Sequence, residues 1–321
     1  PRRSPKGSRH VTRLREGAAT PFIPAAWIAR VAGFRHATAC MKAYRGRIAP
    51  TPTGLLHLGH AQTFWIASQR ARQAGGQLIL RIEDLDPQRC REAFTGAVIE
   101  DLAWLGIEWD EGPDRGGPCA PYIQSQRFER YRSILDQLKS AGLAYPCRCS
   151  RKDVREAASA PHDKGDEPVY PGTCRPTPGQ AAMFDIEAAT HLNWRFRVPD
   201  GQTVAFEDGR FGSQSFLAGD DFGDFVLWRH DDVPSYQLAV VADDHDMGIT
   251  EVVRGADLLK CTARQLLIYD ALGWKAPAFH HCPLVKNDSG QRLAKRDNAL
   301  NLRAMRESGT TPDEIRLRFT K

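Results

Sequence analysis

The chain has 321 residues, enough for two domains with cores of their own, and no apolar run is long enough to span a membrane. Its net charge is +5, but residues 1–40 hold eight Lys/Arg and one Glu (+7), which leaves −2 (+5 less +7) on residues 41–321. This excludes a globally basic nucleic-acid binder, so any RNA contact must use local patches. The eight irregularly spaced cysteines do not form a disulfide framework and point to a reducing, cytoplasmic setting with a subset left for metal.

Residues 1–40 begin with Pro and are rich in Arg, Pro, Ala and Ser; Met41 follows. They read either as a transit peptide or, preferably, as a stretch upstream of the true start, and in both cases as disordered and outside the fold. Arg47-Ile48-Ala49 then ends a short strand. Pro50, Pro52 and Gly54 force a turn. Apolar residues at helical spacing start a helix near Leu58, with His57 and His60 flanking its N-terminus. Strand, turn and helix in this order offer a helix N-terminus to a phosphate.

Leu78–Ile82 reads as a buried strand that ends in Glu83-Asp84-Leu85-Asp86. Carboxylates there sit where open α/β sheets bind ligands. Glu92–Leu105 reads as an amphipathic helix stopped at Gly106, and Tyr122–Ala141 as another with Ser125 as N-cap and Gly142 as its stop. Cys147, Cys149 and Cys174 fall in a C-x-C-x20-Y-x3-C spacing with Tyr170. Three thiolates suit a zinc knuckle one ligand short, or are simply reduced structural cysteines. Asn193–Val198 and Phe222–Arg229 read as strands. Pro234–Val241 follows and turns into Asp243-Asp244-His245-Asp246-Met247-Gly248, which lacks the ligand spacing of a calcium loop. Ile249–Leu259 supplies a strand leading to a helix. Gln291-Arg292-Leu293-Ala294-Lys295-Arg296 is by itself a basic loop. The chain carries neither a P-loop nor G-x-G-x-x-G.

The stretch from Arg47 to His60 closely resembles the first signature of class I aminoacyl-tRNA synthetases in its glutamyl and glutaminyl form, R-x-A-P-[ST]-P-T-G-x-L-H-x-G-H, with Leu58 in place of the usual Ile. The resemblance runs from residue 44 to about 305. It implies an α/β fold: a Rossmann-type catalytic domain over 41–143 and 225–285, a zinc-binding α+β insert over 144–224, and the second-signature loop with a short helical C-terminus over 286–321. It implies glutamate contacts from Arg47, Ile48, Ala49, Pro50, Thr51, Glu83, Tyr236 and Arg254. ATP contacts would come from His57, Gly59, His60 and Lys295, with His57, His60 and Lys295 catalytic. Ala294 replaces the usual Ser of the second signature. One structural Zn²⁺ would be held by Cys147, Cys149, Tyr170 and Cys174, with the phenol as the uncommon fourth ligand.

Only some 25 residues follow the second-signature loop, where full glutamyl enzymes continue into an anticodon-binding domain. The chain therefore resembles the truncated glutamyl-queuosine tRNA(Asp) synthetase family. That implies ATP and Mg²⁺ as substrate, L-glutamate as amino acid, activation without tRNA, queuosine-bearing tRNA(Asp) as acceptor, no membrane and a monomer. Arg47 and Arg254 would grip carboxylates bidentately. The alternatives are a shortened glutamyl-tRNA synthetase charging 3′ ends and a non-catalytic RNA-binding paralogue.

Overall fold

A computed structural model describes residues 43–157, 168–177, 191–285 and 301–319. Strand β1 (Arg45–Ile48) pairs in parallel with β2 (Gln77–Leu80) across helix α1 (Leu58–Gln73). The return from α1 needs Gly76, because a Cβ there would lie 2.3 Å from the Tyr44 carbonyl oxygen. Helix α2 (Glu92–Trp104) follows, and Gly106 closes it with φ of 75°.

The expected helix over Tyr122–Ala141 is shorter. A 3₁₀ turn, Gln124–Arg127, precedes helix α3 (Phe128–Ser140). Ser125 is no cap: its N–H and hydroxyl both donate to Asp84, at 2.8 and 2.6 Å.

Strand β3 (Ala144–Cys147), helix α4 (Arg151–Ala157) and β4 (Asn193–Phe196) come next. The hairpin of β5 (Thr203–Asp208) and β6 (Gly212–Leu217) precedes β7 (Phe225–Trp228), and β7 closes an antiparallel sheet in the order β3-β4-β7. Phe225–Trp228 therefore pairs with the insert, on the far side of the expected boundary at 224.

The run after Pro234 is not extended. Tyr236–Asp246 forms helix α5, capped by Ser235, whose hydroxyl accepts from Leu238 N–H at 3.4 Å. The acidic residues read as a turn are its last turns. Strand β8 (Glu251–Gly255), a 3₁₀ turn and helix α6 (Leu259–Ala271) lead to β9 (Ala278–Cys282), parallel to β8. Thr250 N–H donates to the Arg45 carbonyl at 2.9 Å, which sets β8 beside β1. The parallel layer thus runs β2-β1-β8-β9, and β5 joins β9 at the Asp208–Phe279 register position. Helices α7 (Leu302–Glu307) and α8 (Pro312–Leu317) end the described chain.

The two largest hydrophobic clusters among the described residues pack the helices on these layers. Leu56, Leu58, Leu80, Leu102 and Leu302 pack α1, α2 and α7 on the β1–β2 edge. Tyr131, Leu138, Phe222, Leu238 and Ile268 join α3, α5 and α6 to the antiparallel sheet. Full burial of each such side chain stabilises by about 1.5–3 kcal/mol. The first cluster reaches the C-terminal ends of β1, β2 and β8 through Ile48, Leu80 and Val253, where an open α/β sheet carries its site. No described helix is long and apolar enough to cross a membrane.

Candidate active site

The turn after β1 delivers His57 as the N-cap of α1. Its Nδ1 accepts from Gly59 N–H at 3.1 Å and from His60 N–H at 3.4 Å. Nδ1 is therefore unprotonated, and the proton of the neutral ring sits on Nε2, where it can be donated. The His60 ring stacks on the His57 ring, centroids 3.6 Å apart. Lys295 and its basic loop lie outside the described residues. Their flanks do not: Asn301 bridges His57, Leu302 N–H donates to Leu56 O at 2.8 Å, and a Cβ on Gly59 would lie 3.9 Å from the Val285 Cβ.

Below this helix end lies a buried cluster of opposed charges. Arg81 is fully buried and bonds Asp244 at 2.7 Å and Glu83 at 2.9 Å, with Asp243 at 3.6 Å. Burial alone would lower Arg81, but Asp244, Glu83 and Asp243 outweigh it and hold the guanidinium well above its usual range. Burial pushes the Glu83 carboxyl up, against Arg81 and Arg47. Removing one member of such a cluster strands its partners at a cost of roughly 3–5 kcal/mol. Arg47 Nη1 donates to Val253 O at 2.9 Å, while its Nε sits 3.4 Å from Asp244. The Ile48 and Pro50 carbonyls accept from Arg81 and Glu83 N–H at 3.0 Å, which fixes Glu83 beside the signature turn. Ala49 is half-buried and Thr51 is exposed.

Arg254 is brought to Tyr236 from β8. Its Nη1 donates to Tyr236 Oη at 3.3 Å and Gln265 Oε1 at 2.8 Å, its Nη2 to Thr262 Oγ1 at 2.6 Å, and its Nε to His281 Nε2 at 3.1 Å. The expected bidentate grip does not fit this arrangement. Only one Nη2 hydrogen is uncommitted among these bonds, and Tyr236 Oη, an acceptor here, keeps its own proton to donate. Burial raises the Tyr236 phenol, so it stays protonated.

On the antiparallel sheet, Cys147, Cys149 and Cys174 bring three buried sulfurs within 4.8 Å of one another. Cys149 and Cys174 Sγ are 3.5 Å apart, and Tyr170 Oη lies 3.4 Å from Cys147 Sγ and 3.7 Å from Cys149 Sγ. Ligands on a tetrahedral zinc with Zn–S near 2.3 Å sit roughly 3.8 Å apart, so the three thiols are compatible with zinc. Arg195 donates to Cys147 Sγ at 3.2 Å and covers the Tyr170 ring at 3.9 Å. That cation offsets thiolate charge.

Residues 43–319 match the catalytic domain of the class I tRNA synthetases (E and Q). Glutamyl-Q tRNA(Asp) synthetases of Nitratidesulfovibrio vulgaris and Symbiobacterium thermophilum are each 50% identical over 84% of this chain and 83% of their own length. The chain belongs to this family. A glutamate–tRNA ligase of Aquifex aeolicus is 41% identical, and the chain spans 56% of that relative's length. Among solved structures, a glutamate tRNA ligase from Elizabethkingia meningosepticum in complex with its amino acid aligns with a TM-score of 0.69 at 33% identity, over 80% of this chain and 52% of that one. The fold is thus the Rossmann-like catalytic domain of class I synthetases, and ATP with Mg²⁺ is what enzymes of this class use.

Within this family site, sequence reading missed the buried acids of α5 and the polar groups that frame Arg254. Tyr269 Oη, Gln265 Nε2 and Arg47 Nε are buried without a hydrogen-bond partner among the described residues. Orphaned polar groups beside Arg254 and Arg81 suit a cleft built for a polar, charged ligand. Period and composition gave no sign of them, because Gln265 and Tyr269 look like ordinary positions of α6.

Proposed function

We propose that the chain activates L-glutamate with ATP and passes the glutamyl group to queuosine in the anticodon of tRNA(Asp). The observation that carries this reading is the 50% identity to two glutamyl-Q tRNA(Asp) synthetases over 83% of their length. A glutamate carboxylate oxygen attacks the α-phosphate of ATP, and pyrophosphate leaves with its electron pair. One hydroxyl of the queuosine diol then attacks the adenylate carbonyl. AMP departs, an ester forms and the hydroxyl proton is released.

The residues divide the work by charge. His57 Nε2 and His60, at the N-terminus of α1, meet phosphate charge, and Lys295 holds the leaving pyrophosphate, with Mg²⁺ alongside. Gly59 keeps the turn open for ATP. Arg47 and the Tyr236–Arg254 pair receive the two carboxylates of glutamate, and Glu83 receives its ammonium. Backbone groups of Ile48, Ala49, Pro50 and Thr51 line the amino acid. Cys147, Cys149, Cys174 and Tyr170 hold one structural zinc away from this chemistry, and the domains divide near residue 144 and just after β7 at Trp228. Arg47, Arg81 and Arg127 balance Glu83, Asp243 and Asp244, which leaves the Arg254 charge for the carboxylate of glutamate. A neutral amide would leave a buried guanidinium unmet.

Glutamate-dependent ATP–pyrophosphate exchange without any tRNA is the test. Exchange is expected with glutamate and not with glutamine. Exchange that appears only on adding tRNA(Glu) would favour a glutamate–tRNA ligase, and none under any condition a non-catalytic RNA binder.

A further inference from the structure

We infer that Asp208 and His281 form a positioning pair that orients Arg254 through a single imidazole tautomer. The inference rests on Arg254 and Tyr236 being glutamate-binding groups. Neither Asp208 nor His281 belongs to a signature motif, and each lies on a strand that reaches the site from the far edge of the parallel layer.

Asp208, at the end of β5, is 5% exposed and accepts from four directions. Its Oδ1 takes Arg210 N–H at 3.0 Å and Phe211 N–H at 2.9 Å, and its Oδ2 takes His281 N–H at 3.1 Å and Nδ1 at 2.6 Å. The three backbone partners can only donate, and although burial alone would raise the carboxyl, the bonds from His281, Phe211 and Arg210 hold it below its usual range; it is therefore an ionised acceptor, and His281 Nδ1 carries the proton between them. The His281 ring, on β9, is wholly buried. Burial, then the Arg254 charge, pushes it down to about 4, so the ring is neutral near pH 7. Nε2 therefore presents a lone pair. Arg254 Nε–H, which can only donate, points at it from 3.1 Å, and the Thr262 hydroxyl lies 3.2 Å away. The tautomer is fixed by its surroundings on both sides.

The use of an imidazole in this place follows from comparing the arginines. Arg81 bonds carboxylates directly, and Arg47 lies 3.4 Å from one. Arg254 has no carboxylate partner among the described residues. Asp208 reaches it only through the neutral ring. A carboxylate in direct contact would orient Arg254 but would also compete with an incoming carboxylate for its charge. The relayed contact orients the guanidinium toward Tyr236 and leaves that charge for the substrate.

The test separates the two nitrogens of the ring. In His281→Gln, the side-chain oxygen takes the place of Nε2 and still accepts from Arg254. In His281→Asn, the amide takes the place of Nδ1, serves Asp208, and leaves Arg254 Nε–H unmet. In Asp208→Asn, an amide N–H faces Nδ1, the proton moves to Nε2, and two donors oppose each other at Arg254. In pyrophosphate exchange by folded variants, His281→Asn and Asp208→Asn should raise KM for glutamate by about 10- to 100-fold, the loss of one hydrogen bond to a charged group. KM for ATP should not change, and His281→Gln should stay close to the unaltered protein. ¹⁵N imidazole NMR should report a proton on Nδ1 in the unaltered protein and on Nε2 in Asp208→Asn. Equal KM values for the Gln and Asn variants, a parallel rise in KM for ATP, or an Nε2-protonated ring in the unaltered protein would overturn the pair. Absence of glutamate-dependent exchange in the unaltered protein would instead overturn the functional reading, and the NMR result would still decide the tautomer.

Discussion

Arg47→Ala should cut glutamate activation by at least an order of magnitude while leaving a folded protein. Arg47 is 4% exposed and holds only the Val253 carbonyl by a hydrogen bond, with Asp244 3.4 Å from its Nε. Asp244 keeps its 2.7 Å bond to Arg81 when Arg47 is cut back, so no acid is left stranded. The folding cost is one unmet carbonyl, about 1–3 kcal/mol, together with the loss of Arg47's share in opposing the burial of Glu83. The catalytic cost is larger. A substrate carboxylate desolvated in this cleft would face Asp244 and Glu83 without its cation, a loss of about 2–5 kcal/mol or more. That corresponds to roughly 30- to several-thousand-fold in kcat/KM for glutamate. Exchange kinetics and a thermal melt on the same preparation check both halves. A variant that melts normally and exchanges normally would remove Arg47 from the amino-acid site.

Cys149→Ser should release the metal and destabilise the protein. Elemental analysis of the unaltered chain should find near one zinc per chain. Cys149 Sγ lies 3.5 Å from Cys174 Sγ and 3.7 Å from Tyr170 Oη, so its loss removes one corner of the proposed set. The Cys149 thiol is pushed up to about 11 by burial, first of all, and by the neighbouring thiols. Cys149 must therefore lose its proton to bind metal. Structural zinc contributes on the order of 10 kcal/mol in small zinc-finger peptides, far above any one hydrogen bond here. A lower melting temperature together with loss of zinc is the expected pair of results. Metal-free protein of equal stability and activity would contradict a structural zinc.

What the sequence disclosed depended on how far apart the interacting residues lie. The His57–His60 turn and the cysteine spacing are local patterns, and each formed where its pattern placed it; the strand before Glu83 formed as Gln77–Leu80, short of the expected Ile82. Helix α5 was hidden because Gln237 through Asp244 are all buried, so no polar face marked a helical period. Asp243 and Asp244 looked like a solvated turn. Their partners Arg127 and Arg81 stand 116 and 163 positions away and turn them into core residues. Ser125 looked like a cap until Asp84, 41 positions earlier, claimed it. The Asp208–His281 contact spans 73 positions and has no signature in either strand.

The acceptor decides the central claim. Radiolabelled glutamate and ATP are incubated with tRNA(Asp) from cells that make queuosine and from cells that cannot, and the labelled RNA is digested to locate the ester. Label should appear only on the queuosine-containing tRNA(Asp) and in its anticodon fragment. Label on the 3′-terminal adenosine, or on queuosine-free tRNA(Glu) at a comparable rate, would contradict the account and assign the chain to 3′-end charging.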